Sequence, residues 1–263
     1  MRPVPSAFLF PRPITVTMKP AFTLHSPETQ TDYWIYTDSS IPRQEKLRVF
    51  LFLDGDDQFA TALRAYRQLR KEETFPALLL VGVGYGASYR RPENRRIRDY
   101  TADAHTDDPE SGGGQAFLRF LTDTLWHELS SRFVVHEDWR GLGGHSLGAL
   151  LATQALLLQP PFFTHILASA PSLWWADRSI LDTVAQHRKT HPHLPARAYF
   201  SVGEDDTASM TGDLSLLESQ LAKHPWDGLD TCFQRFPGKD HFNVVEDAFT
   251  SGLRWLVQGK ASH

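Results

Sequence analysis

Residues 141–158 read GLGGHSLGALLATQALLL. This stretch contains a Gly-x-Ser-x-Gly motif centred on Ser146, and the motif occurs nowhere else in the chain. An apolar run follows the motif directly and stops before Pro160-Pro161, which predicts a helix over residues 147–158. A serine between glycines at the start of a helix is typical of a sharp strand-to-helix turn that holds the hydroxyl clear of a sheet. The alternative is a glycine-rich helix start at which Ser146 is only a capping residue.

The segment before this motif is the weak part of the pattern. Residues 139–142 read WRGL, and so short a glycine-containing segment does not by itself predict a strand. Elsewhere strands and helices alternate, and the apolar run at residues 47–53 is typical of a central strand buried on both faces. Further strands are predicted at residues 77–82, 165–170, 198–202 and 231–236, and further helices at residues 58–71, 115–133, 179–187, 214–223 and 242–257.

This alternation predicts an α/β fold, with a mostly parallel central sheet and helices on both faces. Residues 22–24 and 33–36 are predicted to form antiparallel edge strands at the N-terminal side of the domain. We divide the chain into a Pro-rich leader, residues 1–20, and a single domain, residues 21–263. Because ligand sites in such sheets lie at the carboxyl ends of the strands, functional residues are expected there.

The composition excludes several classes of protein. The chain has 263 residues, with 27 Lys and Arg against 31 Asp and Glu, and this net charge of −4 gives no reason to expect nucleic acid or an anionic membrane as partner. The apolar run at residues 147–158 is shorter than the roughly 20 residues that cross a membrane. Cys232 is the only cysteine, which excludes an internal disulfide and is typical of a reducing compartment. We therefore expect a cytoplasmic protein that acts on a small molecule.

A nucleophilic Ser146 requires a histidine base and an acid, which in this kind of sheet follow in the chain order Ser, Asp or Glu, His. Seven histidines follow Ser146, and only His241 lies in a loop between a late strand and the last helix, in the sequence GKDHF. The alternative is a surface histidine without a catalytic role. His241 is the predicted base.

The predicted acid lies after the strand at residues 198–202, where residues 203–206 read GEDD. We favour Asp206, with Glu204 as its rival and Asp205 last. For at least two of these three carboxylates, a role in an acidic surface turn is the correct alternative.

Two backbone N–H groups are predicted to hold the oxyanion that forms when the serine attacks a carbonyl group. One belongs to Leu147, at the start of the helix, and the other to Asp56, in the loop after the strand at residues 47–53. The carboxylate of Asp56 has to point away, because a second negative charge would oppose the oxyanion. The alternative for residues 54–57 is a plain turn.

Five motifs occur in order along the chain: LDGD at 53–56, RDYT at 98–101, SGGG at 111–114, GHSLG at 144–148 and PSLWW at 171–175. With these motifs the chain resembles, over residues 22–257, an esterase family of the α/β-hydrolase superfamily that includes enterochelin-type siderophore esterases, esterase D and feruloyl esterases. The resemblance implies the α/β-hydrolase fold, serine carboxylesterase activity without a cofactor, and Ser146 and His241 as catalytic residues. The acid position varies among such relatives, so a Ser146–His241 dyad stays open.

The predicted substrate pocket comprises Trp174, Trp175, Arg98 and Tyr100. Both tryptophans follow a strand at its carboxyl end, and the alternative for at least one of them is packing in the core. The basic cluster at residues 90–98 forms either an electropositive rim for an anionic ester or a solvated loop paired with nearby acidic residues. The latter are Asp99, Asp103, Asp107 and Asp108.

Two further motifs are rejected. Residues 82–87 match the dinucleotide pattern Gly-x-Gly-x-x-Ala, but the residues that follow do not form a helix that could hold a pyrophosphate. His127-Glu128 and His136-Glu137 lack the second histidine of a zinc motif, so no metal is predicted.

These observations together predict a serine carboxylesterase that hydrolyses small-molecule esters through an acyl-enzyme intermediate. The first alternative is a narrower enzyme, a hydrolase of siderophore trilactones of the enterochelin type. An alternative of another class is an α/β-hydrolase fold without activity that serves only in binding. The intact order of Ser146, acid and His241 argues against this last alternative.

Overall fold

The computed structural model describes residues 18–38, 46–158 and 160–258. Most of the predicted leader, residues 1–17, lies outside the described residues. Within the described residues eight strands form one sheet. The strands are β1 (Phe22–Ser26), β2 (Thr31–Thr37), β3 (Leu47–Phe52), β4 (Leu78–Gly84), β5 (Val135–His145), β6 (His165–Ser169), β7 (His193–Gly203) and β8 (Asp227–Phe236).

The sheet order is β1-β2-β4-β3-β5-β6-β7-β8. The strands from β3 to β8 pair in parallel, whereas β1 pairs antiparallel with β2, and β2 pairs antiparallel with β4. A short turn can join only antiparallel neighbours, so β1 and β2 form a hairpin while the parallel strands are joined through longer crossovers. The predicted parallel sheet with an antiparallel N-terminal edge is therefore confirmed.

Helices cover both faces of this sheet. Along β3, Val49 and Leu51 face one apolar core, while Phe50 and Phe52 face a second core on the other side. This period of two explains why the whole strand is apolar, because each side chain enters one of two cores. The helices are α1 (Gly55–Leu69), α2 (Arg96–Asp99), α3 (Gly114–Arg119), α4 (Trp126–Arg132), α5 (Leu147–Ala155), α6 (Trp175–Thr190), α7 (Ala208–Lys223) and α8 (Val245–Gln258).

Two glycines in β5 explain why its sequence is not typical of a strand. A Cβ atom at Gly141 would overlap the ring of Phe50, and one at Gly143 would lie 2.9 Å from the same ring. The two glycines leave room for the side chain of Phe50, which extends from the neighbouring strand β3 across β5. The missing β-branched side chains are thus replaced by the aromatic ring of another strand, a tertiary contact that local composition does not reveal.

Several predicted boundaries shift. The helix predicted at residues 115–133 is interrupted by a π-helical turn, Phe120–Leu125, between α3 and α4. Helix α6 starts earlier than predicted and contains a kink at Ala176, Asp177 and Arg178, which all have positive φ. The last helix begins at Val245 instead of residue 242, which leaves His241 in a turn. Within the described residues, no helix has the length and apolar character needed to cross a membrane.

Candidate active site

Ser146 sits on a strained turn between β5 and α5. Its φ of 59° and ψ of −119° are unfavourable for any residue with a side chain, and such strain persists only where the surroundings impose it. The backbone N–H of Ser146 donates to the carbonyl of Ser169 at 3.0 Å, and its carbonyl accepts from the N–H of Ser172 at 3.2 Å. A Cβ at Gly144 would lie 2.6 Å from the backbone carbon of Gly148, so the flanking glycines allow the strand and helix to approach this closely. The geometry is that of a nucleophile elbow.

His241 and Asp206 form a hydrogen-bonded pair at the carboxyl end of the sheet. The Nδ1 atom of His241 lies 2.8 Å from Oδ2 of Asp206, and the Asp206 side chain is 1% exposed against 24% for His241. Glu204 and Asp205 are exposed. Of the three carboxylates that the sequence left open, the structure brings Asp206 to the histidine.

Backbone hydrogen bonds join the loop that carries Asp206 to the loop that carries His241. The N–H of Asp205 donates to the carbonyl of Lys239 at 2.9 Å, and the N–H of Glu204 donates to the carbonyl of Phe236 at 3.0 Å. A Cβ at Gly203 would overlap the carbonyl oxygen of Lys239, so the loop after β8 packs directly on the end of β7. The glycine that precedes the acidic run is therefore required by the close approach of the histidine loop.

His145 was not recognised from the sequence, although it lies inside the Gly-x-Ser-x-Gly motif. It is buried, its Nδ1 lies 3.1 Å from Oγ of Ser169, and its ring centroid is 4.5 Å from that of His241. Burial lowers the pKa of His145 well below the ordinary histidine value, and the neighbouring His241 and Arg96 lower it further. A neutral imidazole thus packs against His241 without adding a charge next to it.

The two predicted oxyanion donors lie at helix N-termini. Leu147 is the first residue of α5, and Asp56 lies in the first turn of α1. The carboxylate of Asp56 accepts hydrogen bonds from the Tyr36 hydroxyl at 2.6 Å, from the Tyr85 N–H at 2.5 Å and from the Gly86 N–H at 3.0 Å. These three donors hold the negative charge of Asp56 beside β2 and the end of β4.

A buried ion pair supports the Asp56 loop. Arg96 donates to Asp54 through Nε at 2.8 Å and through a terminal nitrogen at 3.0 Å, and its guanidinium lies 4.7 Å from the ring centroid of Tyr89. Asp54 has positive φ, and a Cβ at Gly148 would lie 3.3 Å from its carboxylate, so the loop touches the elbow. Burial raises the pKa of the Asp54 carboxyl, and the charge of Arg96 opposes that shift.

Comparison with known proteins identifies the family. A family model described as "Putative esterase" matches residues 25–244, most of the chain. The chain belongs to this esterase family. The predicted α/β-hydrolase fold and the predicted class of activity, serine-dependent ester hydrolysis, are thereby confirmed.

Two curated relatives and one solved structure are similar to the esterase. Ferri-bacillibactin esterase BesA of Bacillus subtilis is 26% identical over 249 residues, which cover 88% of this chain and 86% of that protein. A siderophore triacetylfusarinine C esterase of Aspergillus fumigatus is 31% identical over 138 residues, 51% of this chain and 47% of that protein. The BES protein of Bacillus cereus matches the fold with a TM-score of 0.80 at 24% identity, covering 89% of this chain and 93% of that one.

Two of the predicted pocket residues, Tyr100 and Arg98, make structural contacts. Tyr100 is fully buried, and its hydroxyl accepts a hydrogen bond at 2.9 Å from the backbone N–H of Asp54. Arg98 forms an ion pair with buried Asp99 at 2.7 Å and donates to the Thr31 hydroxyl at 2.9 Å. Both residues thus tie the α2 segment to other parts of the esterase, and their place in the substrate pocket stays a prediction.

The tryptophan pair divides between surface and core. Trp174 is 44% exposed, whereas Trp175 is buried and its indole N–H donates to the carbonyl of Asp103 at 3.0 Å. Trp174 follows Ser172 by two residues, and its contact with a substrate stays a prediction. The alternative of core packing applies to Trp175.

The basic cluster at residues 90–98 is partly neutralised. Arg95 pairs with Glu110 at 3.2 Å, while Arg96 and Arg98 pair with Asp54 and Asp99 as described above. Arg90 and Arg91 are exposed in the loop after β4, and the neighbouring backbone N–H of Tyr89 donates to Asp57 on α1 at 3.1 Å. This contact places the loop beside the first turn of α1, which carries Asp56.

Among residues 18–38, 46–158 and 160–258, no group of three or more His, Cys, Asp or Glu side chains could hold a metal ion.

Proposed function

We propose that the esterase cleaves ester bonds with Ser146 as nucleophile, His241 as general base and Asp206 as the acid that orients the histidine. The observation that carries this proposal is the pairing of His241 Nδ1 with buried Asp206 at 2.8 Å, at the same end of the sheet as the strained turn of Ser146. A carboxylate on Nδ1 selects the tautomer that leaves Nε2 free to take a proton.

The reaction follows from these positions. Ser146 Oγ attacks the ester carbonyl carbon while His241 Nε2 takes the serine proton, and the carbonyl oxygen becomes negative. The N–H groups of Leu147 and Asp56 donate hydrogen bonds to this oxygen. The tetrahedral intermediate breaks its bond to the alcohol oxygen, which receives the proton from His241. Water then attacks the acyl-enzyme by the same route, releasing the carboxylic acid and restoring the serine hydroxyl.

We further propose a siderophore ester, of the trilactone type, as the substrate. The support is the relative BesA, named as a ferri-bacillibactin esterase, which this chain matches over 88% of its length, and a second relative named as a siderophore esterase. Exposed Trp174 offers an aromatic surface to the catecholate groups of such a ligand, and Arg90 and Arg91 offer positive charge to its acidic groups.

Replacement of the nucleophile tests the proposed roles. Ser146→Ala should lower kcat on the order of 10⁶-fold, because no other group can form the acyl-enzyme. A serine-directed fluorophosphonate should label Ser146 in the unchanged protein, as read by peptide mass spectrometry. Ser131→Ala, which removes an exposed hydroxyl on α4, is the matched control and should keep full activity. A Ser146→Ala protein that keeps most of its activity would contradict the mechanism and also the choice of nucleophile.

A substrate series tests the proposed ligand. We expect kcat/KM for a catecholate trilactone to exceed that for p-nitrophenyl acetate and butyrate by at least about tenfold, an advantage of about 1.4 kcal/mol in transition-state binding. Equal or higher kcat/KM for the alkyl esters would identify a general carboxylesterase instead. Absence of turnover on all of them would favour the binding alternative.

A further inference from the structure

A second serine lies against the nucleophile. The Oγ of Ser172 is 3.1 Å from the Oγ of Ser146, and Ser172 is 1% exposed. Ser172 lies in the loop between β6 and α6, one strand away from the elbow in the sheet. Among the described residues, its side-chain hydrogen-bond partner is Ser146. A buried hydroxyl needs a hydrogen-bond partner, and the partner of Ser172 is the oxygen proposed as nucleophile.

Backbone contacts fix the distance between these two hydroxyls. The N–H of Ser172 donates to the carbonyl of Ser146 at 3.2 Å, while the N–H of Ser146 donates to the carbonyl of Ser169 at 3.0 Å. Ala170, between them, has a φ of 44° and donates its N–H to the carbonyl of Ser201 at 2.7 Å. The loop is thus clamped to the elbow and to β7, so Ser172 cannot leave Ser146 without breaking main-chain hydrogen bonds.

Loss of the Ser146 proton to His241 determines which of the two hydroxyls donates the hydrogen bond. When Ser146 gives its proton to Nε2 of His241, its oxygen has lone pairs left and can only accept from Ser172. A hydrogen bond to an oxygen that carries negative charge is about twice as strong as one between neutral groups. The hydrogen bond from Ser172 to Ser146 is therefore strongest when Ser146 Oγ carries negative charge.

We propose that Ser172 is a further catalytic residue, one whose O–H donates to Ser146 Oγ during both halves of the reaction; this rests on the function proposed above. In acylation it stabilises the charge on Oγ as the serine proton moves to His241. In deacylation it stabilises the same oxygen as the bond to the acyl carbon breaks and His241 returns the proton. The proton of Ser172 stays on Ser172 throughout, so the balance of the reaction is unchanged.

Three variants test the inference. Ser172→Ala should lower kcat by about tenfold or more with KM within about twofold, because the lost contact is strongest in the transition state. The rate of fluorophosphonate labelling of Ser146 should fall by a similar factor, since it reports the nucleophilicity of that oxygen directly. Ser172→Thr keeps a donor and should be faster than Ser172→Ala. Ser201→Ala, an equally buried serine on β7, is the matched control and should keep wild-type kcat and labelling rate.

The outcomes separate this inference from the function on which it rests. A folded Ser172→Ala protein with wild-type kcat and labelling rate overturns the inference, and so do Ala and Thr variants that are equally slow. If Ser172→Ala does not fold, Ser172→Cys keeps the volume with a weak donor and should show the same loss of kcat; wild-type kcat in that variant overturns the inference. Failure of the proposed function has a different signature, namely unlabelled Ser146 in the unchanged protein and an active Ser146→Ala variant.

Discussion

Asp206 lies at the end of β7, with its carboxylate almost fully buried and 2.8 Å from His241. Glu204 and Asp205, its neighbours in the same turn, are exposed. A buried carboxylate interacts more strongly with the imidazolium that forms during catalysis than a solvated one does, because less water screens it. The three carboxylates are thus chemically alike but differ in environment, and the buried environment of Asp206 suits the role proposed for it.

Replacing each of the three carboxylates by an amide tests which of them orients His241. Asp206→Asn should leave the fold intact and lower kcat by up to about 10⁴-fold, because the amide no longer holds the productive tautomer of His241. Glu204→Gln and Asp205→Asn keep kcat close to that of the unchanged protein and serve as matched controls. Steady-state kinetics and circular dichroism on the three variants make the comparison. A silent Asp206→Asn would leave Ser146 and His241 working as a dyad.

The buried histidine at the start of β6, His165, makes the stability of the fold depend on pH. It is the first residue of β6, its ring stacks on Trp139 of β5 at 4.2 Å, and Nδ1 lies 2.8 Å from the Thr164 hydroxyl. Burial lowers the pKa of His165 to about 3, with Arg197 and Arg48 adding to the effect. An unfolded histidine has a pKa near 6.5, so below that pH the unfolded chain binds a proton that the folded chain rejects. The stability that depends on neutral His165 is present above pH ~6.5 and is lost as the pH falls toward 3.

His165→Phe keeps the stacking on Trp139 and removes the titration. We expect the free energy of unfolding of the unchanged protein to fall between pH 6 and 4 more steeply than that of the variant, by up to about 1.4 kcal/mol per pH unit. Buried His145 should leave some dependence on pH in both proteins. Urea denaturation at half-unit intervals gives the two curves, and between pH 7 and 8 they should differ only by a constant. Curves that stay parallel down to pH 4 would show that His165 titrates alike in the folded and unfolded chain.

At the scale of the whole molecule, the Asp54–Arg96 pair joins segments that are far apart in the chain. Asp54 ends the connection from β3 and precedes α1, and Arg96 belongs to α2. The backbone N–H of Asp54 also donates to the hydroxyl of Tyr100. Its carboxylate lies close to Gly148, where an added Cβ atom would be 3.3 Å from Oδ2. The loop that carries Asp56, the α2 segment and the elbow therefore share one charge pair.

Loss of one partner of this pair should be costly. Arg96→Gln leaves the carboxylate of Asp54 buried without its cation, and we expect the free energy of unfolding to fall by about 3–5 kcal/mol. The double variant Asp54→Asn with Arg96→Gln removes both charges and should be more stable than the single variant. Urea denaturation at pH 7 measures both losses. Additive losses from the Asp54→Asn and Arg96→Gln variants would mean that the two charges do not depend on each other.

The fold class, the elbow at Ser146 and the loop that carries His241 can be predicted from the amino-acid sequence. These features are written in local patterns, since an apolar strand, a glycine-flanked serine before a helix and a histidine before the last helix are each recognisable within a short window. Residues 203–206 narrowed the acid to three carboxylates with Asp206 preferred, because the end of a strand is a local feature too. The catalytic roles of Ser146, His241 and Asp206 remain predictions that kinetics must test.

The contributions of the remaining residues depend on contacts between distant parts of the chain. Strand β5 exists despite its glycines because Phe50 from another strand fills the space above them. The contacts of Tyr100 and Arg98 with Asp54 and Thr31 join residues that are at least 46 positions apart in the chain. Packing of His145 on His241 and the contact of Ser172 with Ser146 likewise join residues from different strands and loops. Such contacts depend on which chain segments meet in space, a property that no local pattern of residue types contains.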